Sequence, residues 1–125
     1  MMEKTRPKHL NLLAIKLPLP GWVSILHRVS GFGLFVCLPL LLWLLDNSLH
    51  SRSSFESLRA LIANPLMKLL LLGLIWAYLH HLCAGIRYIA MDLHWGVELA
   101  ATRKTSMAVL VVSLALTLIL GAKLW

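Results

Sequence analysis

The chain has 125 residues, of which 59% are hydrophobic, and its formal net charge is +7. A mean hydropathy of +0.80 excludes an ordinary water-soluble domain, because a chain of this length cannot bury so much apolar surface in its own interior. The positive charge does not indicate nucleic-acid binding, since the basic residues flank hydrophobic segments, as they do in membrane proteins. We therefore expect a single membrane domain, with lipid rather than nucleic acid around it.

The N-terminal segment, residues 1–20, is polar, basic and punctuated by prolines. The first long apolar run begins only near Val29, and no small-residue cleavage site follows it, which argues against a secretory signal peptide. The segment is predicted to be an uncleaved arm on the cytoplasmic side.

Three apolar segments reach the length of about 17–25 residues that a helix needs to cross a bilayer. They are predicted at about 22–45, 66–91 and 105–124. Pro39 is expected to kink the first span, which membrane helices tolerate, and Gly31 and Gly33 are expected to permit close packing. The fold class is an all-α membrane protein with three transmembrane helices.

Two polar connections join the spans. Residues 46–64 are predicted to form a loop with a short surface helix at Phe55–Ala63, ended by Asn64-Pro65. Residues 93–104 form the second connection, with Trp95 as an interfacial anchor. The two cysteines of the chain lie within predicted spans and do not indicate a disulfide framework; they are Cys37 and Cys83.

The third span carries four small residues at spacings of seven, four and four, which place them on one face of a helix. They are Ser106, Ser113, Thr117 and Gly121. Small residues let membrane helices approach closely, so this face is predicted to pack against another helix.

The distribution of basic residues predicts the orientation. Eight lie in the N-terminal part, at the end of the second span or in the second connection, and four lie on the opposite side. The eight are Lys4, Arg6, Lys8, Lys16, Arg28, Arg87, Arg103 and Lys104, and the four are Arg52, Arg59, Lys68 and Lys123. Because cytoplasmic loops carry the excess of Lys and Arg, the N-terminus is predicted to be cytoplasmic.

The second span contains ionisable residues that hydropathy does not explain. From Leu69 to Ile86 there is no Asp, Glu, Lys or Arg, yet His80 and His81 lie inside this run. Ionisable groups in hydrocarbon are costly and usually face a partner, a cavity or a cofactor.

The histidine at position 81 shares a helix face with small residues at intervals of four, Gly73, Ala77 and Gly85. Two interpretations remain open on this pattern. The face packs against another helix with the imidazole hydrogen-bonded across it, or the imidazole binds a haem iron and the small residues leave room for the ring.

The start of the first span and the end of the second lie in the same leaflet, because the two helices are antiparallel. This brings together two sets of polar residues, Ser24, His27 and Arg28 from one helix and His81, Arg87 and Asp92 from the other. A b-type haem fits such a site, with cations nearer the water, and so does a quinone head group. The alternative for each arginine is snorkelling to lipid phosphates.

Two stretches resemble a known family. Arg6-Pro7, Leu12 and the run from Ser24 to Gly31 are similar to the N-terminal signature of the cytochrome b556 subunits of succinate dehydrogenase. His81-x-x-x-Gly85-Ile86-Arg87, followed by Met91-Asp92, is similar to the second signature of that family. The resemblance covers essentially the whole chain.

This resemblance implies one of the two membrane anchors of respiratory complex II in a bacterial inner membrane. A second hydrophobic anchor subunit would complete the helical bundle, and an iron–sulfur subunit and a flavoprotein subunit would dock on the cytoplasmic side. Electrons from succinate would pass along iron–sulfur clusters to ubiquinone, and the chain alone would not be active.

The resemblance also implies residue roles. His81 matches the axial ligand of haem b, with the opposite ligand from the partner anchor, and His27 and Arg28 match the haem propionate side. Ser24, Arg28 and His27 match the ubiquinone site. The chain departs from the family at Tyr88, where a histidine is usual, and at His94, where a small residue is common.

Two other functions remain open. The first is a haem-free structural anchor, as in a fumarate reductase-like complex. The second is a small transporter subunit in which His80 and His81 relay protons or metal ions. Otherwise His80 is expected to be a packing or network residue.

Overall fold

The computed structural model describes residues 11–12 and 14–125 of the chain. Over this part the chain forms four helices, α1 at Leu19–His50, α2 at Arg52–Ile62, α3 at Pro65–Asp92 and α4 at Leu99–Leu124, and no strands. By length and composition α1, α3 and α4 can each cross a membrane. The predicted all-α membrane fold is thus confirmed, while residues 1–10 and 13 of the predicted arm lie outside the described residues.

The first helix starts where the prolines predict, with Pro18 as N-cap and a proline in its first turn. It contains Pro39 and continues to His50, so the prediction that the loop starts at residue 46 is wrong. The polar residues there bond back to the helix: Asn47 Nδ2 donates to the Trp43 carbonyl at 2.9 Å, and Ser48 Oγ donates to the Leu45 carbonyl at 2.7 Å. Because these side chains donate to carbonyls of the preceding turn, they do not compete for the backbone groups that continue the helix.

The short surface helix α2 begins three residues before the predicted start. Ser51 caps it: Ser51 Oγ accepts from the Ser54 backbone N–H at 3.1 Å, and Ser54 Oγ accepts from the Ser51 backbone N–H at 3.0 Å. This reciprocal pair satisfies two N–H groups that the first turn leaves unpaired. Leu58 is buried, so α2 packs its apolar side on the spanning helices.

A tight turn connects α3 and α4. His94 and Gly96 adopt positive φ angles of 63° and 69°, and Thr102 Oγ1 donates to the Gly96 carbonyl at 3.0 Å. Helix α4 begins at Leu99, so the prediction that residues 99–104 belong to the connection is wrong. The sequence Leu-Ala-Ala at 99–101 has high helix propensity, which explains the early start.

The three long helices pack together, and α3 lies against both α1 and α4. Each contributes one residue to the central apolar cluster, namely Val23, Ala84 and Val109. The four small residues predicted to form the packing face of α4 are all buried. At Gly121 an added Cβ would lie 2.6 Å from Leu72 Cδ1, so this glycine permits the close approach of α3 and α4.

The outward surfaces of the long helices are strongly apolar. Phe32, Phe35 and Leu118 are each at least 70% exposed, which is favourable against lipid or another apolar protein surface and not against water. At the end of the bundle remote from the histidines, Lys68 Nζ lies 5.1 Å from the ring centroid of Trp125. This cation–π contact joins the start of α3 to the end of α4.

Candidate functional site

The imidazole of His81 lies between α3 and α1 and is held by the α1 backbone. Its Nδ1 is 3.0 Å from the His27 carbonyl oxygen and 3.4 Å from Ser30 Oγ. A carbonyl only accepts, so Nδ1 carries the hydrogen and donates it. In the neutral ring Nε2 is then the nitrogen without a hydrogen, and it has no hydrogen-bond partner in the described part of the chain.

A second imidazole lies against the first. The rings of His27 and His81 are parallel, with centroids 4.2 Å apart and an interplanar angle of 9°. The Tyr88 ring meets His27 at 5.2 Å and 59°. His81 is thus fixed by stacking on one face as well as by its Nδ1 hydrogen bond, and such constraints orient an imidazole that ligates a metal.

Glycines provide the space for both rings. At Gly31 an added Cβ would lie 2.8 Å from His81 Cε1 and 3.1 Å from His81 Nδ1, and at Gly85 it would lie 3.7 Å from His27 Nε2. Gly33 and Gly73 have nothing within 4 Å of an added Cβ. The predicted close packing therefore occurs at Gly31 and not at Gly33, and only Gly85 of the two glycines in the α3 stripe borders a histidine ring.

We expect Gly31→Ala to displace the His81 ring, because the new methyl group would overlap Cε1. Overpacking of this kind costs about 1–3 kcal/mol, so the unfolding midpoint of the purified protein in detergent should fall. The chain offers a matched control in Gly33→Ala, which adds the same methyl group to the same helix in open space. Equal midpoints for the two variants would contradict the geometry at Gly31.

The two other residues predicted on α1 flank this pair. Ser24 is half-buried and Arg28 is exposed, and among the described residues neither side chain has a hydrogen-bond or ion-pair partner. Arg28 follows His27 directly in α1. A hydroxyl and a guanidinium are therefore free to donate to a ligand beside the histidine pair. Asp92, also expected here, is an exposed residue at the end of α3, and no contact joins it to the pair.

Snorkelling, the predicted alternative for Arg87, is wrong, because the side chain does not reach the surface. Arg87 is 7% exposed, and its Nε donates to Thr105 Oγ1 at 3.0 Å while Nη2 donates to the Thr102 carbonyl at 3.4 Å. Its guanidinium carbon lies 5.2 Å from the Tyr88 ring centroid. Arg87 thus joins α3 to α4 and supports the tyrosine that contacts His27.

Replacing Arg87 by methionine should destabilise the protein by about 1.5–3 kcal/mol, the range for hydrogen bonds made by a charged group. Methionine keeps the length of the apolar stem and loses the donors. The check is the unfolding midpoint in detergent, with Arg103→Met as control, since Arg103 is exposed on α4. If Arg103→Met lowers the midpoint as much as Arg87→Met does, the hydrogen bonds of Arg87 to α4 do not stabilise the protein.

Adjacent histidines in α3 face different surroundings. His80 is 0% exposed, and the centroid of its ring lies 5.3 Å from that of the Trp76 ring. No hydrogen bond joins His80 to the His27–His81 pair. The described residues contain no group of three His, Cys, Asp or Glu side chains that could hold a metal ion.

Comparison with known proteins gives a consistent result. A sequence model described as succinate dehydrogenase/fumarate reductase transmembrane subunit matches residues 2–120. The chain is 38% identical to the succinate dehydrogenase cytochrome b556 subunit of Coxiella burnetii (strain RSA 493 / Nine Mile phase I), over 99% of this chain and 100% of that protein. It is 32% identical to the subunit of the same name from Rickettsia felis (strain ATCC VR-1525 / URRWXCal2), over 92% and 90% of the two chains. The identity to that of Paracoccus denitrificans is 30%, over 91% and 88%.

Proposed function

Since the chain belongs to the family of succinate dehydrogenase/fumarate reductase transmembrane subunits, we propose that it anchors a succinate dehydrogenase and binds a haem b and a quinone. The observation that carries this proposal is the hydrogen bond from His81 Nδ1 to the His27 carbonyl. It fixes the tautomer that offers Nε2 to an iron atom. The protein's relatives are named as cytochrome b556 subunits, which agrees with a b-type haem.

The residues of the site fit this haem. His81 would hold the haem iron through Nε2, together with a residue of the second hydrophobic anchor subunit. His27 and Arg28 lie on the side proposed for the propionates, where the exposed guanidinium provides positive charge. The Tyr88 ring contacts His27, and its hydroxyl is buried without a partner among the described residues. The bound haem supplies one-electron redox chemistry, while this chain positions it.

The quinone site is proposed at the α1 residues that flank the histidine pair. Ser24 Oγ and the Arg28 guanidinium are free donors for the carbonyl oxygens of ubiquinone, and His27 completes this edge of the site. Reduction of the quinone would take up electrons delivered by the iron–sulfur subunit and protons from water. Positive charge at Arg28 stabilises the negative charge that develops on the quinone oxygen.

The proposed assembly contains three other chains: a second anchor subunit, an iron–sulfur subunit and a flavoprotein subunit. The distribution of basic residues supports an N-terminus on the cytoplasmic side of a bacterial inner membrane. Succinate is oxidised on the flavoprotein, so this chain breaks no bond of succinate and has no activity alone.

The experiment that tests the proposal is purification of the tagged chain from native membranes, followed by a reduced-minus-oxidised absorption spectrum. We expect three further chains, including a flavoprotein, and a b-type haem band. A haem-free anchor would bring the same partners without the band, and a transporter subunit would bring neither. Either result would contradict the proposal.

A further inference from the structure

A second polar feature of α3 lies apart from the histidine pair. Trp76, His80 and Ala84 are spaced by four and share one helix face. Ala84 belongs to the central apolar cluster with Val23, and His80 is the largest fully buried side chain among the described residues. His80 and Ala84 therefore lie inside the three-helix packing, while Trp76 is half-buried at its edge with its Nε1 atom buried.

Three polar atoms on this face lack hydrogen bonds. Both ring nitrogens of His80 and Nε1 of Trp76 are buried, and none of them has a partner among the described residues. The Val23 backbone approaches the His80 ring as a weak hydrogen-bond partner, without the geometry of a full hydrogen bond. A neutral imidazole has one donor and one acceptor, and an indole has one donor.

Buried polar groups in proteins are nearly always hydrogen-bonded, and where the protein supplies no partner an ordered water usually does. The Trp76 and His80 rings lie side by side, with centroids 5.3 Å apart at 31°, and make no direct hydrogen bond. A molecule that accepts from the indole N–H and also bonds the imidazole satisfies both residues at once. Water does this, and lipid chains do not.

We propose that an internal water molecule is bound between Trp76 and His80 within the three-helix core. The water accepts from Trp76 Nε1–H and exchanges a hydrogen bond with a ring nitrogen of His80. The site does not depend on the proposed haem, because His81 faces α1 and makes its own hydrogen bond there.

The test is solid-state NMR of the intact, nitrogen-15-labelled complex in lipid, with magnetisation transferred from water to indole N–H groups. Trp76→Phe identifies the Trp76 signal by its disappearance. We expect transfer to this indole in the natural protein, its loss in His80→Phe, and its retention in His80→Gln, whose amide again offers a donor and an acceptor.

Two results would overturn the proposal: no transfer from water to Trp76 in the natural protein, or transfer that His80→Phe leaves unchanged. If His80→Phe does not assemble, a high-resolution map of the natural complex decides instead. A density peak within hydrogen-bond distance of Trp76 Nε1 and a His80 nitrogen supports the water, and a His80 ring bonded directly to protein contradicts it. The haem spectrum of the same samples reports separately on the proposed function.

Discussion

Replacing His81 by leucine is expected to remove or shift the b-type haem band of the purified complex. Leucine occupies the space beside Gly31 but has no nitrogen, so the iron loses the ligand that this chain provides. Because the substitution also removes the hydrogen bond to the α1 backbone, assembly is followed in parallel by the presence of the other subunits. The measurement is the reduced-minus-oxidised spectrum per mole of flavin.

A histidine elsewhere on the chain serves as the control for this experiment. His50 is exposed at the end of α1, far along the helix from His27, and His50→Leu should leave the spectrum intact. An unaltered spectrum in His81→Leu would eliminate His81 as a haem ligand, whatever the control shows.

Replacing Arg28 by leucine should lower quinone reduction by roughly 10²–10³-fold, the usual effect of deleting one donor to a developing negative charge. Arg28 is exposed and bonded to no described residue, so its loss should not disturb the fold. Succinate oxidation with an artificial electron acceptor, which bypasses the quinone, should persist.

The conservative change Arg28→Lys separates charge from geometry. Lysine keeps the positive charge but cannot present two parallel donors, so we expect an intermediate rate. Full quinone turnover in Arg28→Leu would count against a quinone site at this helix. Equal loss of artificial-acceptor activity would indicate damage to the whole complex instead.

The spanning helices could be predicted from the sequence because hydropathy is a property of composition over a long window. Their ends could not, since local side-chain bonds decide them: Asn47 and Ser48 carry α1 on to His50, and the Ser51 cap starts α2 early. Helix ends depend on individual hydrogen bonds that a hydropathy pattern does not contain.

In the site, too, some features follow from the sequence pattern and others depend on individual contacts. His81 is conspicuous in the sequence because it lies in an uncharged run, and Ser24 and Arg28 follow from the family resemblance. The buried position of Arg87 could not be predicted, because it requires the turn at His94 and Gly96 to bring Thr102 and Thr105 beside it. The parallel stacking of His27 on His81 depends likewise on how α1 and α3 pack.

The acceptor that orients His81 is a main-chain carbonyl rather than a side chain. Every amino acid offers that atom, so exchange of the residue at position 27 removes the stacked ring but not the acceptor. The tautomer of the imidazole is consequently insensitive to mutation at this position and depends on the relative height of two helices. A shift of α1 along α3 by one residue would break the hydrogen bond from His81 Nδ1, whereas most substitutions at position 27 would keep its acceptor.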